Sequence, residues 1–557
     1  MKKSRQKVIL ILALAITLLA AAAYIGRYYV LSRIKTKLEA QLYALRDSGY
    51  IVRYDSIAVD TRKNEVTVHR LSVKRGLDSA LCASTDFFSA HFVKAQGFRL
   101  LPLILKNRLK FATIEIDSPR IVLYENFFSD TVSEKKERRE FSISVDQVKL
   151  PNLNFSYHDS SACQPNTTYT SNAIIEDLIL AFYKDRPAYY NISSVKGDNI
   201  NIHLPSELYS ISIRETTLNL AMGFFDLDTL RIIPQAGKIE FGRKMGKESD
   251  RIEGVIPYLN LYGLTVYRED SIAIKAKKMT TQLFLRIFRD KRLPFKNNYK
   301  PLPAELLNRL PFGLMIDSLI VNKSFVEYEE FVEEADSAGH VFFDDLYASI
   351  LNIDNTKKHS DGKARLAASA SFMGAGDLQV RSDIPWDPKK RNTLKGSLKN
   401  MDFRKLNTIL EPQVKMRIES GHLNELNFNI SYDNNTSAGD IELNYNDLKV
   451  VTFRTEEQIK KKNDRQKKKG NESNDDEKFL KAPLKSFVVN TFILKSNMDD
   501  GVSEEKRSGT ISFERDKRKA IFNYWAKSLF SGIKSAYNID RLEDSRLKSL
   551  VDKKDKE

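Results

Sequence analysis

The chain has 557 residues, 42% hydrophobic and 10% aromatic: too long for one compact core and too apolar for a globally disordered chain. Its 89 basic and 73 acidic residues leave a net charge of +16 spread along the sequence, which fits an anionic membrane surface as well as nucleic acid. With only Cys82 and Cys163, the fold cannot rest on a disulfide framework.

Residues 1–7 form a basic tail (Lys2, Lys3, Arg5, Lys7), read as cytoplasmic. Val8–Ile25 follows without a charge. At about 1.5 Å per residue this run nearly crosses a hydrocarbon core of roughly 30 Å, and Tyr24, Tyr28 and Tyr29 stand where an interfacial aromatic belt would. A transmembrane helix over 8–30 is expected rather than a cleaved signal peptide, whose apolar segment is usually about 7–15 residues. The short tail before a large body favours an inner-membrane, single-pass topology with the body exported. Leu31, Ile34, Leu38, Leu42 and Leu45 then recur at helical spacing and predict a juxtamembrane helix over 31–47, ended by Gly49.

From Ile51 the apolar period becomes two, and a β body is expected over 51–455. IVRYDSIAVD, the turn TRKN and EVTVHRLSVKRG read as a hairpin. LKFATIEIDSPRIVLYEN reads as two strands divided at Asp117-Ser118-Pro119, because proline has no ladder donor. Strand-like runs continue through Lys238–Phe241 and Ser271–Ala276. A short helix is expected at Ala304–Leu310, and strands resume from Phe312 to Thr452. Over 456–478, fifteen of 23 residues are charged, as in a disordered insertion. Terminal strands are expected over 479–515, an amphipathic helix over 519–537 and a charged tail over 538–557. In that helix Phe522, Trp525, Leu529 and Ile533 make one apolar stripe between Lys519, Lys527 and Lys534. The stripe serves either a cap docked on the last strands or a membrane-surface helix.

One short pattern occurs twice. VDQVKLPNLNFSYHD (Val145–Asp159) overlays IDSLIVNKSFVEYEE (Ile316–Glu330) at an offset of 171 positions, with apolar residues at Val148/Leu319 and Leu150/Val321 and an apolar–polar–Tyr ending. One hairpin cannot bury its apolar face alone, whereas many side by side can form one long sheet. Val148 and Leu150 share a face, as do Leu153, Phe155 and Tyr157; Leu319 with Val321, and Val326 with Tyr328, do the same. The tyrosines are expected at a wet rim, with the neighbouring acids in turns or exposed strand positions. Alternation alone leaves open whether such faces form an unfilled groove or pack as ordinary sandwiches.

Chemical motifs are sparse. Gly237–Ser249 (GKIEFGRKMGKES) fails the spacing of a phosphate loop and reads as a charged turn. The seven histidines are scattered, with no H-E-x-x-H, CxxC or G-x-S-x-G. No enzyme, cofactor, metal, nucleotide or nucleic-acid role is expected; an enzyme acting on envelope polymers is the least favoured reading.

The order of segments resembles AsmA-like envelope proteins. VRYDSIAVDTRKNEVTVHRLSVKRG after the span, and VKAQGFRLLPLILKNRLKFATIEIDSPRIVLYEN with Ile114, Ile116, Pro119, Ile121 and Leu123, are the most telling parts. GHVFFDDLYASILNI, SGHLNELNFNISYDNNTSAGDIELNYNDLKV and FNYWAKSLFSGIKSAY are similar to AsmA-like proteins of Bacteroidota type. The resemblance implies a mainly β fold: an N-terminal transmembrane helix, then an elongated, curled antiparallel β-sheet groove of repeated hairpins, then a C-terminal amphipathic helix. It also implies a periplasmic body that binds membrane phospholipids, with other envelope proteins as further partners, and supports lipid transport or outer-envelope assembly. The groove candidates are Ile114, Ile116, Val148, Leu150, Leu153, Phe155, Leu319, Val321, Val326 and Tyr328; the membrane-surface candidates are Phe522, Trp525, Leu529 and Ile533. The alternative is a structural scaffold of the envelope with filled β-sandwich cores.

Overall fold

Period-two patterning with abundant Tyr, Phe, Ile and Val fixes the architecture, which is mainly β: 25 strands and four short α-helices among the described residues. The computed structural model describes residues 50–60, 63–75, 87–97, 108–124, 141–158, 167–182, 189–204, 207–268, 272–295, 297–333, 335–356, 362–454, 488–493 and 507–537. The expected tail 1–7, transmembrane helix 8–30, juxtamembrane helix 31–47, insertion 456–478, tail 538–557 and both cysteines lie outside these residues. No helix among the described residues is long and apolar enough to cross a membrane.

The chain divides into two units, Met1–Gln235 with Val255–Thr265, and Ala236–Gly254 with Val266–Glu557. The first holds β1 (Tyr50–Arg53), β2 (Ser56–Asp60), β3 (Glu65–Arg75), β4 (Phe88–Gln96), β5 (Arg108–Asp117), β6 (Arg120–Tyr124), β7 (Phe141–His158), β8 (Thr167–Phe182), β9 (Tyr189–Asn191), β10 (Ser194–His203), β11 (Tyr209–Asn219) and β12 (Phe224–Pro234). Next come α1 (Lys238–Met245), β13 (Asp250–Tyr262) and β14 (Thr265–Arg268). The second unit continues with β15 (Ile272–Thr281), β16 (Phe284–Asp290), α2 (Pro303–Asn308), β17 (Gly313–Phe331), β18 (Gly339–Asp354), β19 (Lys363–Phe372), β20 (Gly376–Pro385), β21 (Asn392–Asp402), α3 (Asn407–Val414), β22 (Met416–Tyr432), β23 (Thr436–Arg454), β24 (Val488–Ile493), β25 (Arg507–Glu514) and α4 (Ile521–Ala536).

The twice-written pattern marks a repeated module. In the first unit β5 and β6 both lie parallel to the single long β7, which pairs antiparallel with β8. In the second unit β15 and β16 both lie parallel to the single long β17, which pairs antiparallel with β18. Each long strand carries a register shift, between Leu150 and Leu153 and between Val321 and Ser324. In each, a left-handed residue sits inside the shift, Asn152 (φ 54°) and Lys323 (φ 26°). These positions are also 171 apart. A β-bulge of this kind adds one residue and re-aims the strand. The flanking break closes by hydrogen bonding: Asn154 N–H donates to Pro119 O (2.8 Å) and Phe325 N–H to Leu283 O (2.8 Å).

Two expectations are corrected here. The sheet is mixed rather than wholly antiparallel: among the described residues β5 and β6 pair parallel with β7, and β15 and β16 with β17. Parallel neighbours need a crossover of a dozen or more residues, and the connections 125–140 and 291–312 have that length. Lys238–Phe241 is not a strand but the start of α1, which ends at left-handed Gly246 (φ 65°). Its Phe241 and Met245 recur at a spacing of four, and no cross-strand partner competes for them.

Each unit has its own core. In the first, Val66, Val68, Leu71, Val73, Phe88, Phe111, Ile114, Ile143, Val145 and Val148 form one buried cluster. In the second, Leu394, Met401, Phe428, Ile430, Tyr432, Ile441, Tyr445 and Ile511 form another, which includes Tyr524 and Ala536 of α4. That helix lies on β23 and β25 through small residues: a Cβ on Gly532 would stand 2.5 Å from Ile441 Cγ2 and 2.8 Å from Ile511 Cγ1. Ser437 Oγ and Ser528 Oγ hydrogen-bond at 2.7 Å beneath it.

Candidate functional site

Cross-strand registry assembles the groove candidates into rows. Val59, Val66, Ala95, Ile114, Val148, Ile175, Val195, Leu218 and Phe225 are successive partners over nine strands from β2 to β12. A second row runs Ile121, Phe155, Tyr169, Ile202, Ile211 and Ile232, with the Phe155 and Tyr169 rings 5.5 Å apart.

Both rows face the same way although they are an odd number of residues apart on several strands. Ile175 and Tyr169 are six apart on β8, whereas their partners on β10, Val195 and Ile202, are seven apart, because a register shift intervenes between Asp198 and Asn201. Asn199 (φ 50°), inside that shift, and Thr229 (φ 47°), on β12, are left-handed. The apolar spacing slips with them: Val195 and Gly197 give way to Ile200 and Ile202, Phe225 and Leu227 to Leu230 and Ile232. The bulges therefore keep the oily side chains on one face of the sheet. The other face is polar, with Asn172 Nδ2 donating to Asp198 Oδ1 (2.7 Å), Lys196 Nζ to Glu176 Oε1 (3.3 Å), and Arg214 paired with Asp228.

Burial divides the apolar face into two parts. Ile114 and Val148, at 1% and 6% exposure, sit inside the first core, with Ile116 and Leu150 packed against it. Beyond β8 the covering layer ends among the described residues. Val195, Leu218, Phe225, Ile200, Ile213, Leu230, Ile202, Ile211 and Ile232 are half-buried and join neither core cluster. Leu153 and Phe155 are half-buried as well.

The second module shows the same division. Leu319, Val321, Val326 and Tyr328 share one face of β17. They lead into the rows Leu319–Ile350–Leu366, Val321–Ala348–Ala368 and Val326–Phe343–Phe372. Those residues are half-buried over β17–β19. From β21 onward the same face is buried in the second core, which α4 joins over β23 and β25. A depression of about 650 Å³ opens over β17–β22, lined by Val321, Ala348 and Ala368 together with the polar Ser349, Gln379, Arg381 and Lys395.

Tyr328 corrects the wet-rim expectation, and Glu330 the expectation of an exposed acid. The Tyr328 hydroxyl donates to Glu330 Oε2 (2.7 Å), and Glu330, at 6% exposure, also accepts from Gln413 Nε2 (2.7 Å) and pairs with Lys291. Burial pushes the Glu330 carboxyl up, but the bonds from Lys291, Tyr328 and Gln413 outweigh it and hold the group below its ordinary value. Burial and the neighbouring Glu330 charge raise Tyr328. Beside them the Arg289 fork clasps Asp250 (Nε–Oδ1 2.7 Å, Nη2–Oδ2 2.7 Å), and Lys519 Nζ lies 3.6 Å from Glu248. Every charge in this cluster meets an opposite one, so it holds strands together and presents no free base or nucleophile. No sequence signal marks this cluster, since Lys291, Tyr328 and Gln413 converge only through the turn after β16 and through α3.

On α4 the expected stripe splits. Trp525, Leu529 and Ile533 pack against the second core, whereas Phe522 is 71% exposed; Phe530, outside the expected stripe, is 50% exposed.

No protein-family model and no curated protein matches this chain.

Proposed function

We propose that this chain is an AsmA-like envelope protein, anchored in the inner membrane by 8–30, whose periplasmic sheet shields phospholipid acyl chains during transfer or envelope assembly. The observation that carries the reading is the uncovered apolar stretch of β10–β12. Nine aliphatic or aromatic side chains there line one face, half-buried and outside both cores, above a polar opposite face. A hydrocarbon tail laid on such rows gains about 0.8 kcal/mol per CH₂ kept from water, which lowers the barrier to moving a lipid without any chemical step. Direction then comes from partners or from a lipid gradient.

The scaffold reading is favoured by a different observation, the two filled clusters at Ile114/Val148 and at Phe428/Ile441. Native mass spectrometry of the intact chain separates the two readings. Lipid carriage predicts co-purifying phospholipid that Ile211→Asp removes at unchanged melting temperature. Val148→Asp, which places a charge in the filled core, lowers the melting temperature instead. A wild-type chain free of lipid from a lipid-replete host, or lipid loading indifferent to Ile211→Asp, rejects carriage and leaves the scaffold.

A further inference from the structure

We propose that the outward face of α4 docks the protein reversibly onto an anionic lipid surface. Among described large apolar side chains, Phe522 at 71% exposure is second only to Met222 at 79%. Phe530, at 50%, stands two turns further along the same helix. At about 100° per residue, Phe522, Phe530, Lys534 and Lys527 fall within one arc of about 140°. The ammonium groups of Lys527 and Lys534 lie 5.9 and 5.5 Å from the Phe530 ring centre. The helix contains no carboxylate from Ile521 to Ala536.

The opposite face is already committed. Tyr524, Ser528, Gly532 and Ala536 are buried against the sheet. The helix therefore cannot roll over to sink a full apolar side into a bilayer, as a free amphipathic helix does. What it offers is a pair of rings that can enter the headgroup region, with lysines whose stems lie along the rings and whose charges reach the phosphates. At the preceding turn Arg518 and Lys519 lie over the Phe295 ring at 5.3 and 3.8 Å, but Asp516 and Glu248 already pair them, so the free positive charge of this face is that of Lys527 and Lys534. Exposed aromatics beside lysines, with no acid on the helix, fit an anionic leaflet better than a neutral one. Only two rings insert, so the attachment is shallow and salt-sensitive.

This docking goes beyond the acyl-chain reading and does not depend on it. The test reconstitutes the full chain in phosphatidylcholine proteoliposomes and offers fluorescent acceptor vesicles of phosphatidylcholine with or without phosphatidylglycerol, scoring co-flotation. The wild type is expected to capture the phosphatidylglycerol vesicles only, and to release them at high salt. Lys527→Glu/Lys534→Glu and Phe522→Ser/Phe530→Ser should each reduce capture by about tenfold or more. Both pairs replace side chains on the face away from the sheet, so the melting temperature should stay as in the wild type; Trp525 emission serves as a control for the lysine pair only, because the Phe522 ring meets Trp525 edge-on with centroids 5.5 Å apart. Ile211→Asp should capture as the wild type does, which keeps this result separate from the fate of the lipid-carriage reading. No capture, equal capture of both vesicle types, or undiminished capture by both variant pairs overturns the proposal and leaves the face to an acidic protein partner or to none.

Discussion

Glu330 illustrates what a single residue contributes and what alternation conceals. Its place near the end of an apolar–polar strand reads as a solvated acid, yet Lys291, Tyr328 and Gln413 enclose it. Its folded-state pKa lies below the ordinary 4.5, so the stability it adds is present in full above that value and is lost as pH falls through the lower folded value. Asp290 is held low in the same sense, chiefly by the hydrogen bond from Arg292. Thermal melts across the acid range should therefore fall for the wild type below about pH 4.5, and Glu330→Gln should fall less over that window. At neutral pH the variant should be less stable by about 1.5–3 kcal/mol, since Lys291 and Tyr328 lose a charged acceptor. Parallel acid limbs for the two proteins would remove Glu330 from this role.

Among the elements, the repeat at 145 and 316 was legible because hydrophobic period and bulge chemistry are local: Asn152 and Lys323 occupy matching left-handed positions in β7 and β17. The parallel partners of those strands were not legible, because register with β5–β6 and β15–β16 is a tertiary choice made through long connections. Alternation puts Val148 with Leu150, and Leu319 with Val321, on one face, but nothing in it distinguishes the filled first copy from the half-buried second. α4 was legible as an amphipathic helix, while its orientation was not. Small residues, Ser528, Gly532 and Ala536, face the sheet beside Tyr524, and Gly532 permits the close approach to Ile441 and Ile511. Gly532→Val should lift or shift the helix at a cost of about 1–3 kcal/mol. Trp386 and Trp525 are the two tryptophans, so Trp525 emission in a Trp386→Phe background reports the move as a red shift. An unshifted spectrum with unchanged stability would mean that the helix does not dock through this glycine.

For the molecule as a whole, the account turns on where the sheet's apolar face is covered. The first core closes over β3–β7 and the second over β21–β25 with α4, reaching Phe372 at the end of β19; the rows on β10–β12 and the Leu319 and Val321 rows on β17–β19 join neither cluster among the described residues. Filled sections give each unit its stability, and uncovered sections give it something to bind. The most direct measurement places a photoreactive benzoyl-phenylalanine at Ile211 or at its neighbour Ser212, which point to opposite faces of β11, and irradiates the intact chain in membranes before mass spectrometry. Lipid carriage predicts a phospholipid adduct at position 211 and little or none at 212. Equal labelling at both positions, or none at 211, contradicts it.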